Sequence, residues 1–382
     1  VGAKTAYLDH NATSPARPEV IEAVADAMRM PGNPSSVHTA GRAARKLVED
    51  ARRDVAALVN ADPSNVVFTG GGTEANALAL APRGGADRLL VSAIEHPSVL
   101  GGGRFASDSI DAIPVDETGV IDLAWLKERL RSGPPPAIVS VMCANNETGA
   151  IQPVAEVARL AHEAGALVHC DAVQAAGRLD LDIAALGVDY MTLSAHKIGG
   201  PQGVGALIRR DKSAPVVPLY RGGGQERSHR SGTEPVAAIA GFGVAARIVS
   251  RETGNTNEIA ALRDWFEAEL RTISPAAVVF ASESDRLANT SCFAVEGLPA
   301  ETAMIALDLE GVCVSSGSAC SSGKVGQSHV LAAMGVPPDL ASGAIRVSFG
   351  WSSTRNDVES FMTAWRRVQA KRDRRREVTE AA

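Results

Sequence analysis

Apolar and polar positions along this chain alternate between short apolar runs and stretches of helical spacing. Residues 66–69, 89–93, 110–115, 137–142, 166–170, 190–193 and 204–209 are apolar runs that predict strands. Between them, 122–131 and 154–163 carry the spacing of amphipathic helices. Ahead of them, Pro18 suits the first turn of a helix that has Val20, Ile21, Val24 and Met28 on one face. A longer helix from about Ala40 sets Leu47, Val48, Ala51, Val55 and Leu58 inward. Strands that alternate with helices predict βαβ units and a mostly parallel sheet. After Pro235 the pattern is helical, with a long linking helix over 257–272. Strands near 278–281, 290–295 and 345–349, with helices near 302–309 and from Asp357, predict a smaller α+β lobe. The charged tail 371–382 is expected to fray.

Polar residues collect where the early strands end: Thr73, His96, Asn145, Asp171, Gln174, His196 and Lys197. Ligands of parallel sheets bind beyond the carboxyl ends of the strands. So many buried polar groups are costly unless something satisfies them, which predicts a bound ligand with several polar groups. Gly70-Gly71-Gly72-Thr73-Glu74 joins a strand to a helix, an arrangement that offers free N–H groups to an anion; a plain tight turn is the other reading. Neither a Walker loop nor GxGxxG is present. Lys197, in Ser194-Ala195-His196-Lys197-Ile198-Gly199-Gly200-Pro201, follows a buried strand. It is either a lysine at a strand's solvent end or a desolvated amine that forms a Schiff base with a carbonyl.

Composition narrows the classes. Hydrophobic residues make up 45% and charged residues 21%, as in an ordinary globular protein, and a net charge of −6 gives no reason to expect nucleic acid. No apolar run approaches the ~20 residues of a membrane span, and the first residues lack a basic-then-apolar leader. Five scattered cysteines without a CxxC pair argue against a disulfide framework and a zinc site, so no metal and a reducing, cytoplasmic setting are expected. Cys143, Cys170, Cys292 and Cys313 lie in apolar strand-like runs. Cys320 instead stands amid the small residues of 315–324, which predicts a mobile loop with either a reactive thiol or an incidental surface cysteine. The glycine-rich, basic segment 222–233 is too polar for a core element and reads as a loop at a site or interface. Arg346, inside an apolar run, needs an anion: a substrate carboxylate or an internal Asp or Glu.

Taken together, Gly71-Gly72-Thr73-Glu74-Ala75-Asn76, Glu95-His96-Pro97, Ala144-Asn145-Asn146-Glu147, Asp171-Ala172-Val173-Gln174, Ser194-Ala195-His196-Lys197, Arg230-Ser231-Gly232-Thr233 and Ser316-Gly317-Ser318-Ala319-Cys320 resemble the NifS/IscS-type cysteine desulfurases. These are fold-type I pyridoxal 5'-phosphate enzymes of the class V aminotransferase group. The resemblance spans nearly the whole chain, with the motifs in order. It implies an α/β fold with a large cofactor-binding domain (15–250) built on a mostly parallel, seven-stranded-type sheet. The smaller α+β domain (1–14 and 251–382) would carry the Cys320 loop. By the same resemblance, Lys197 carries the cofactor, Asp171 holds its ring nitrogen protonated, and His96 stacks on the ring. Gln174 and Asn145 reach the ring oxygen. Thr73, Ser194 and His196 hold the phosphate, with Thr233 of the other subunit of a homodimer. Arg346, Asn33 and Asn145 bind the substrate, and Cys320 accepts sulfur from L-cysteine, leaving alanine. A sulfur-acceptor or iron–sulfur scaffold protein is the implied partner. Selenocysteine lyase and cysteine sulfinate desulfinase are the neighbouring activities. The Ser-Ser-Gly-Ser-Ala-Cys form is similar to the group with a long Cys loop. The segment 81–87 looks shortened, and Ser228-His229 departs from the usual, more basic loop.

Overall fold

The computed structural model describes residues 5–83, 87–133, 136–252, 256–317 and 327–380. Seven strands form the main sheet: β1 (Val66–Thr69), β2 (Leu89–Ser92), β3 (Ile110–Ile113), β4 (Ile138–Ser140), β5 (Leu167–Asp171), β6 (Tyr190–Ser194) and β7 (Gly205–Arg209). Their order is β1-β7-β6-β5-β4-β2-β3. All neighbours run parallel except β7, which is antiparallel to both β1 and β6. The near-continuous apolar runs follow from this layering, because a sheet covered on both faces buries both sides of each strand. Every residue of β1, β2, β4, β6 and β7 is buried. Of the expected runs 137–142 and 110–115, the strands keep 138–140 and 110–113, and the Val141 N–H still donates to the His169 carbonyl beyond β4.

Helices α1 (Pro18–Arg29), α2 (Thr39–Ala57), α3 (Gly72–Ala79), α4 (Leu123–Arg131), α5 (Val154–Glu163) and α6 (Val236–Glu252) pack around this sheet. Val48, Ala51 and Val55 of α2 share one core with Phe68, Val139, Val168, Met191 and Phe242. At Gly243 a Cβ would lie 2.5 Å from the Ala51 Cα, so glycine permits the close crossing of α6 over α2. On α1 only part of the predicted face is covered: Val20 is buried and Val24 packs against the core, whereas Ile21 and Met28 stand 56% and 75% exposed.

A second core belongs to a four-stranded antiparallel sheet, ordered β10-β11-β9-β8, of β8 (Val278–Val279), β9 (Thr290–Ala294), β10 (Ser315–Ser316) and β11 (Ile345–Ser348). Helices α7 (Thr256–Ile273), α8 (Ala300–Leu309) and α9 (Arg355–Glu380) cover it. Phe266, Phe293, Phe361 and Trp365 meet there edge-on or stacked, with Phe266 and Phe361 centroids 4.8 Å apart. Ala6 and Leu8 join this core, and Ala6–Tyr7 pairs in parallel with Val312–Cys313. The expected fraying of the tail is not observed: α9 continues to Glu380, and its run of Arg, Lys, Glu and Gln has good helix propensity.

The polar segment 222–233 is likewise not wholly a surface loop. Glu226 is buried and takes Arg52 bidentately, at 2.7 and 2.8 Å, while accepting the Phe68 N–H at 2.8 Å. The Arg52 guanidinium also lies 4.8 Å from the Phe68 ring centroid. One carboxylate thereby ties α2, β1 and the segment before α6 together. Removing it strands a buried arginine, so Glu226→Ala is expected to cost about 3–5 kcal/mol. Urea denaturation checks this; a midpoint within error of the parent would show that the pair contributes little.

Candidate active site

The carboxyl ends of β5 and β6, the first turn of α3 and the turn Asp9–Thr13 enclose a cavity of about 190 Å³. Thr73, Asn76, His96, Asp171, Gln174, Ser194, His196 and Lys197 line it, with Asn11 and Asn146. Parallel strands bring their ends to one edge, and that is why residues spread over more than a hundred positions meet here.

Each side chain is held in a definite orientation. Asp171 ends β5; its Oδ2 accepts from Asn76 Nδ2 at 2.8 Å and its Oδ1 from the Val173 N–H at 3.0 Å. Asn76 also donates to Ser98 Oγ at 2.9 Å. His96 caps the short helix Pro97–Leu100: its Nδ1 accepts the Ser98 N–H at 3.1 Å and lies 2.7 Å from Ser98 Oγ. Burial holds the His96 imidazole below its ordinary range; Asp171 opposes that shift and Lys197 adds to it. Lys197 Nζ donates to the carbonyls of Asn11 and Ala12 at 2.6 and 2.8 Å. Gln174 Nε2 donates to the same Asn11 carbonyl at 3.0 Å.

The glycine turn before α3 has a physical requirement. Gly71 has φ of 145°, and a Cβ on Gly205 would lie 2.6 Å from the Gly71 carbonyl carbon, so β7 and the turn approach backbone to backbone. Thr73 follows, exposed, and it also faces a wider space of about 820 Å³ shared with Thr13, Ser194, His196 and Tyr220. Hydroxyls and the N–H groups at the start of α3 suit an oxyanion. His196 Nδ1 lies 3.2 Å from Thr13 Oγ1, and burial, with Lys197 nearby, lowers its pKa to about 4.

Several expected residues are placed differently. Asn145 is fully buried and turned from the cavity: its Oδ1 accepts the N–H groups of Glu147 and Thr148, and its Nδ2 donates to the Ile94 carbonyl. Asn146 stands on the wall instead. One asparagine stabilises the turn and the next faces the ligand space, a distinction that two consecutive asparagines do not reveal. Arg346 has the internal partner that was one of its two readings: Nη2 lies 2.9 Å from Asp9 Oδ1, and Nη1 donates to the Asn146 carbonyl at 3.0 Å. Its Nε has no hydrogen-bond partner among the described residues. Asn33 is exposed, accepting the Ser35 N–H at 2.9 Å within its own turn, and does not line the cavity; Thr233, expected at the other subunit's site, is exposed and away from this chain's own cavity. Cys320 lies outside the described residues.

Sequence reasoning gave no separate role to three residues at the cavity or next to residues that line it. Asn11 is on the cavity wall. Glu95 is fully buried, and burial beside Asp171 pushes its carboxyl well above the usual range. Glu147, pushed up to about 7 by burial, accepts from Ser328 Oγ at 2.5 Å. Only a bundle of distant contacts marks these residues, and no local spacing encodes it.

Comparison with known proteins agrees with this geometry. The family model for aminotransferase class-V matches residues 6–361. An IscS-like cysteine desulfurase of Mycobacterium tuberculosis is 41% identical over 371 residues, covering 94% of each chain. A cysteine desulfurase of Cereibacter sphaeroides is 42% identical over 366 residues, covering 93% of each. Among solved structures, a NifS-like protein from Rickettsia africae superposes with a TM-score of 0.88 at 36% identity, over 96% of this chain and 99% of that one. The protein SspA, solved in complex with cysteine, gives 0.75 at 28% identity, over 90% and 98%.

The buried imidazoles give a direct check. His10, His169 and His196 have pKa values lowered to about 3, 4 and 4, in each case first by burial. Unfolding returns them to about 6.5, so the unfolded chain binds protons that the folded chain refuses. These three groups therefore withdraw stability as pH falls from about 6.5 toward 4. In histidine-labelled protein their ring resonances are expected to stay unshifted between about pH 5.5 and 8, the range where an exposed imidazole titrates. A midpoint near 6.5 for His196 would contradict its burial.

Proposed function

The chain belongs to the class V aminotransferase family and within it to the NifS/IscS-type cysteine desulfurases, and from that premise we propose a pyridoxal phosphate enzyme that passes sulfur from L-cysteine to Cys320. One observation carries the reading: the Lys197 amine and the Asp171 carboxylate share a cavity that is also lined by the hydroxyls of Thr73 and Ser194.

That donor set fits the cofactor. Thr73, Ser194, His196 and the N–H groups at the start of α3 would take its phosphate, Asp171 its ring nitrogen, Gln174 its ring oxygen and Lys197 its aldehyde. His96 would lie against the ring, and Asn146 takes over the role expected of Asn145. When bound, the cofactor supplies an electron sink for the carbon that bears the amino group.

The chain's own residues do the rest. Asp171 is aimed by Asn76 and the Val173 N–H, so its carboxylate would be held in place for the ring nitrogen. His96 keeps Nδ1 on Ser98 and leaves Nε2 for the cavity. The Lys197 amine removes the Cα proton of the substrate. The Cys320 thiolate forms an S–S bond to the substrate sulfur while the Cβ–S bond breaks, and the electron pair of that bond stays with carbon. Carbon regains protons, so cysteine plus one protein thiol becomes alanine plus one protein persulfide.

Arg346 is the residue for the substrate carboxylate in this reading: its buried Nε has no hydrogen-bond partner among the described residues, beside the bonds of its other two nitrogens to Asp9 and Asn146. A homodimer accounts for Asn33 and Thr233, which one chain leaves away from its own cavity; Ile21, Met28, Met30 and Val37, all exposed, supply apolar surface near Asn33 in sequence. We retain the division into 15–250 and 1–14 plus 251–382, in line with the two cores and with Ala6 and Leu8 in the second. A sulfur-acceptor or iron–sulfur scaffold protein would receive the persulfide. Among the described residues no helix is long and apolar enough to cross a membrane, and a cytoplasmic site of action is part of the same reading.

Adding pyridoxal phosphate to the protein is expected to give absorbance near about 390–420 nm, lost in Lys197→Ala. With L-cysteine, Lys197→Ala should slow alanine release by about 10²–10⁴-fold, the range for loss of a positioned acid–base group. Cys320→Ala should abolish persulfide on the protein. Full alanine release by Cys320→Ala would point instead to a selenocysteine lyase or cysteine sulfinate desulfinase.

A further inference from the structure

The geometry points to a docking place for the Lys197 amine when it is not bonded to the cofactor: the main-chain carbonyls of Asn11 and Ala12, with Asn11 as the positioning residue that holds them. This rests on the proposed function, in which Lys197 alternates between a Schiff base and a free amine.

The first ground is a count of protons. Lys197 Nζ donates to both carbonyls, at 2.6 and 2.8 Å. A Schiff-base nitrogen carries at most one hydrogen, so it cannot make both bonds. A free amine or ammonium can, because it carries two or three. The pair of carbonyls therefore complements the released form of this side chain. Acceptors of this kind favour the charged form, so an amine that has taken a proton is held more firmly there than a neutral one.

The second ground is the rigidity of the turn. Asn11 is 1% exposed and its side chain is bonded at both ends. Nδ2 donates to the Asn146 carbonyl at 3.1 Å and to Thr290 Oγ1 at 2.9 Å, and Oδ1 accepts from Asn289 Nδ2 at 3.0 Å. The Asn11 N–H donates to Ser348 Oγ at 2.9 Å, and Tyr7 OH donates to the Thr13 carbonyl at 2.7 Å. These bonds fix the Asn11 side chain at both ends and tie its turn to the second sheet. At a turn that must present two carbonyls to a moving ammonium, such bracing has a use. Asp171 faces the same space, with His96 and His196, whose imidazoles are neutral at ordinary pH.

The test is made on the full chain stripped of cofactor. Acetaldehyde and cyanoborohydride at neutral pH alkylate only unprotonated amines, and mass spectrometry compares Lys197 with the exposed Lys127 and Lys212. In Asn11→Ala the relative labelling of Lys197 is expected to rise by about threefold or more, less than the full loss of a hydrogen bond to a charged group. Thr290→Val, which removes one strut and keeps the shape, should move it in the same direction by less. Diethyl pyrocarbonate labelling of His96 and His196 must stay at the parent level. An unchanged Lys197 ratio in both variants overturns the proposal, as does a rise in lysine and histidine labelling together, since local opening would then explain everything. Borohydride reduction of the loaded parent protein separates this from the parent reading: a cofactor tag found anywhere but Lys197 overturns the proposed function itself, whatever the ratio does.

Discussion

A lysine amine placed at the buried edge of a parallel sheet demands acceptors, and that demand organises this protein. Main-chain carbonyls answer it, and the turn that carries them cannot be floppy. Asn11 locks that turn to the second sheet through Asn289, Thr290 and Ser348. Two residues earlier, Asp9 holds Arg346, and the Asn146 carbonyl accepts from both Asn11 and Arg346. The group that would form the covalent bond and the group that would recognise a carboxylate are thus referred to one short stretch of backbone. Precision at the centre comes from hydrogen bonds that never touch a ligand.

Electrostatics in the cavity are arranged by burial more than by pairing. Glu95 and Glu147 are carboxylic acids pushed toward their neutral forms, and the surrounding imidazoles are pushed toward theirs. Asp171 is the carboxylate on the cavity wall itself. Partial burial of the groups there strengthens their electrostatic interactions.

The fold was readable because each strand is a short apolar run bounded by turn residues, and each polar cluster falls where a strand stops. The same logic located Asp171, His96, Gln174, His196 and Lys197. It failed where the information is non-local. Asn145 and Asn146 differ only in which way a turn points them, and turn geometry is set by contacts with Ile94 and Thr148. Glu226 looked like part of a solvated loop; its partner Arg52 lies 174 positions away. Asn33 was expected at the site and stands exposed in its own turn, while Thr233, assigned from the outset to the other subunit, is exposed on this chain.

The threading of the first strand has a temporal consequence. Residues 6–11 precede their partners Val312, Cys313, Arg346 and Ser348 by as many as 337 positions. Contacts of such long sequence separation close last and slowly. During synthesis the large sheet can assemble while Lys197 still lacks the braced carbonyls of Asn11 and Ala12. The proposed cofactor capture and sulfur transfer would thereby wait until residues 346–348 have been made.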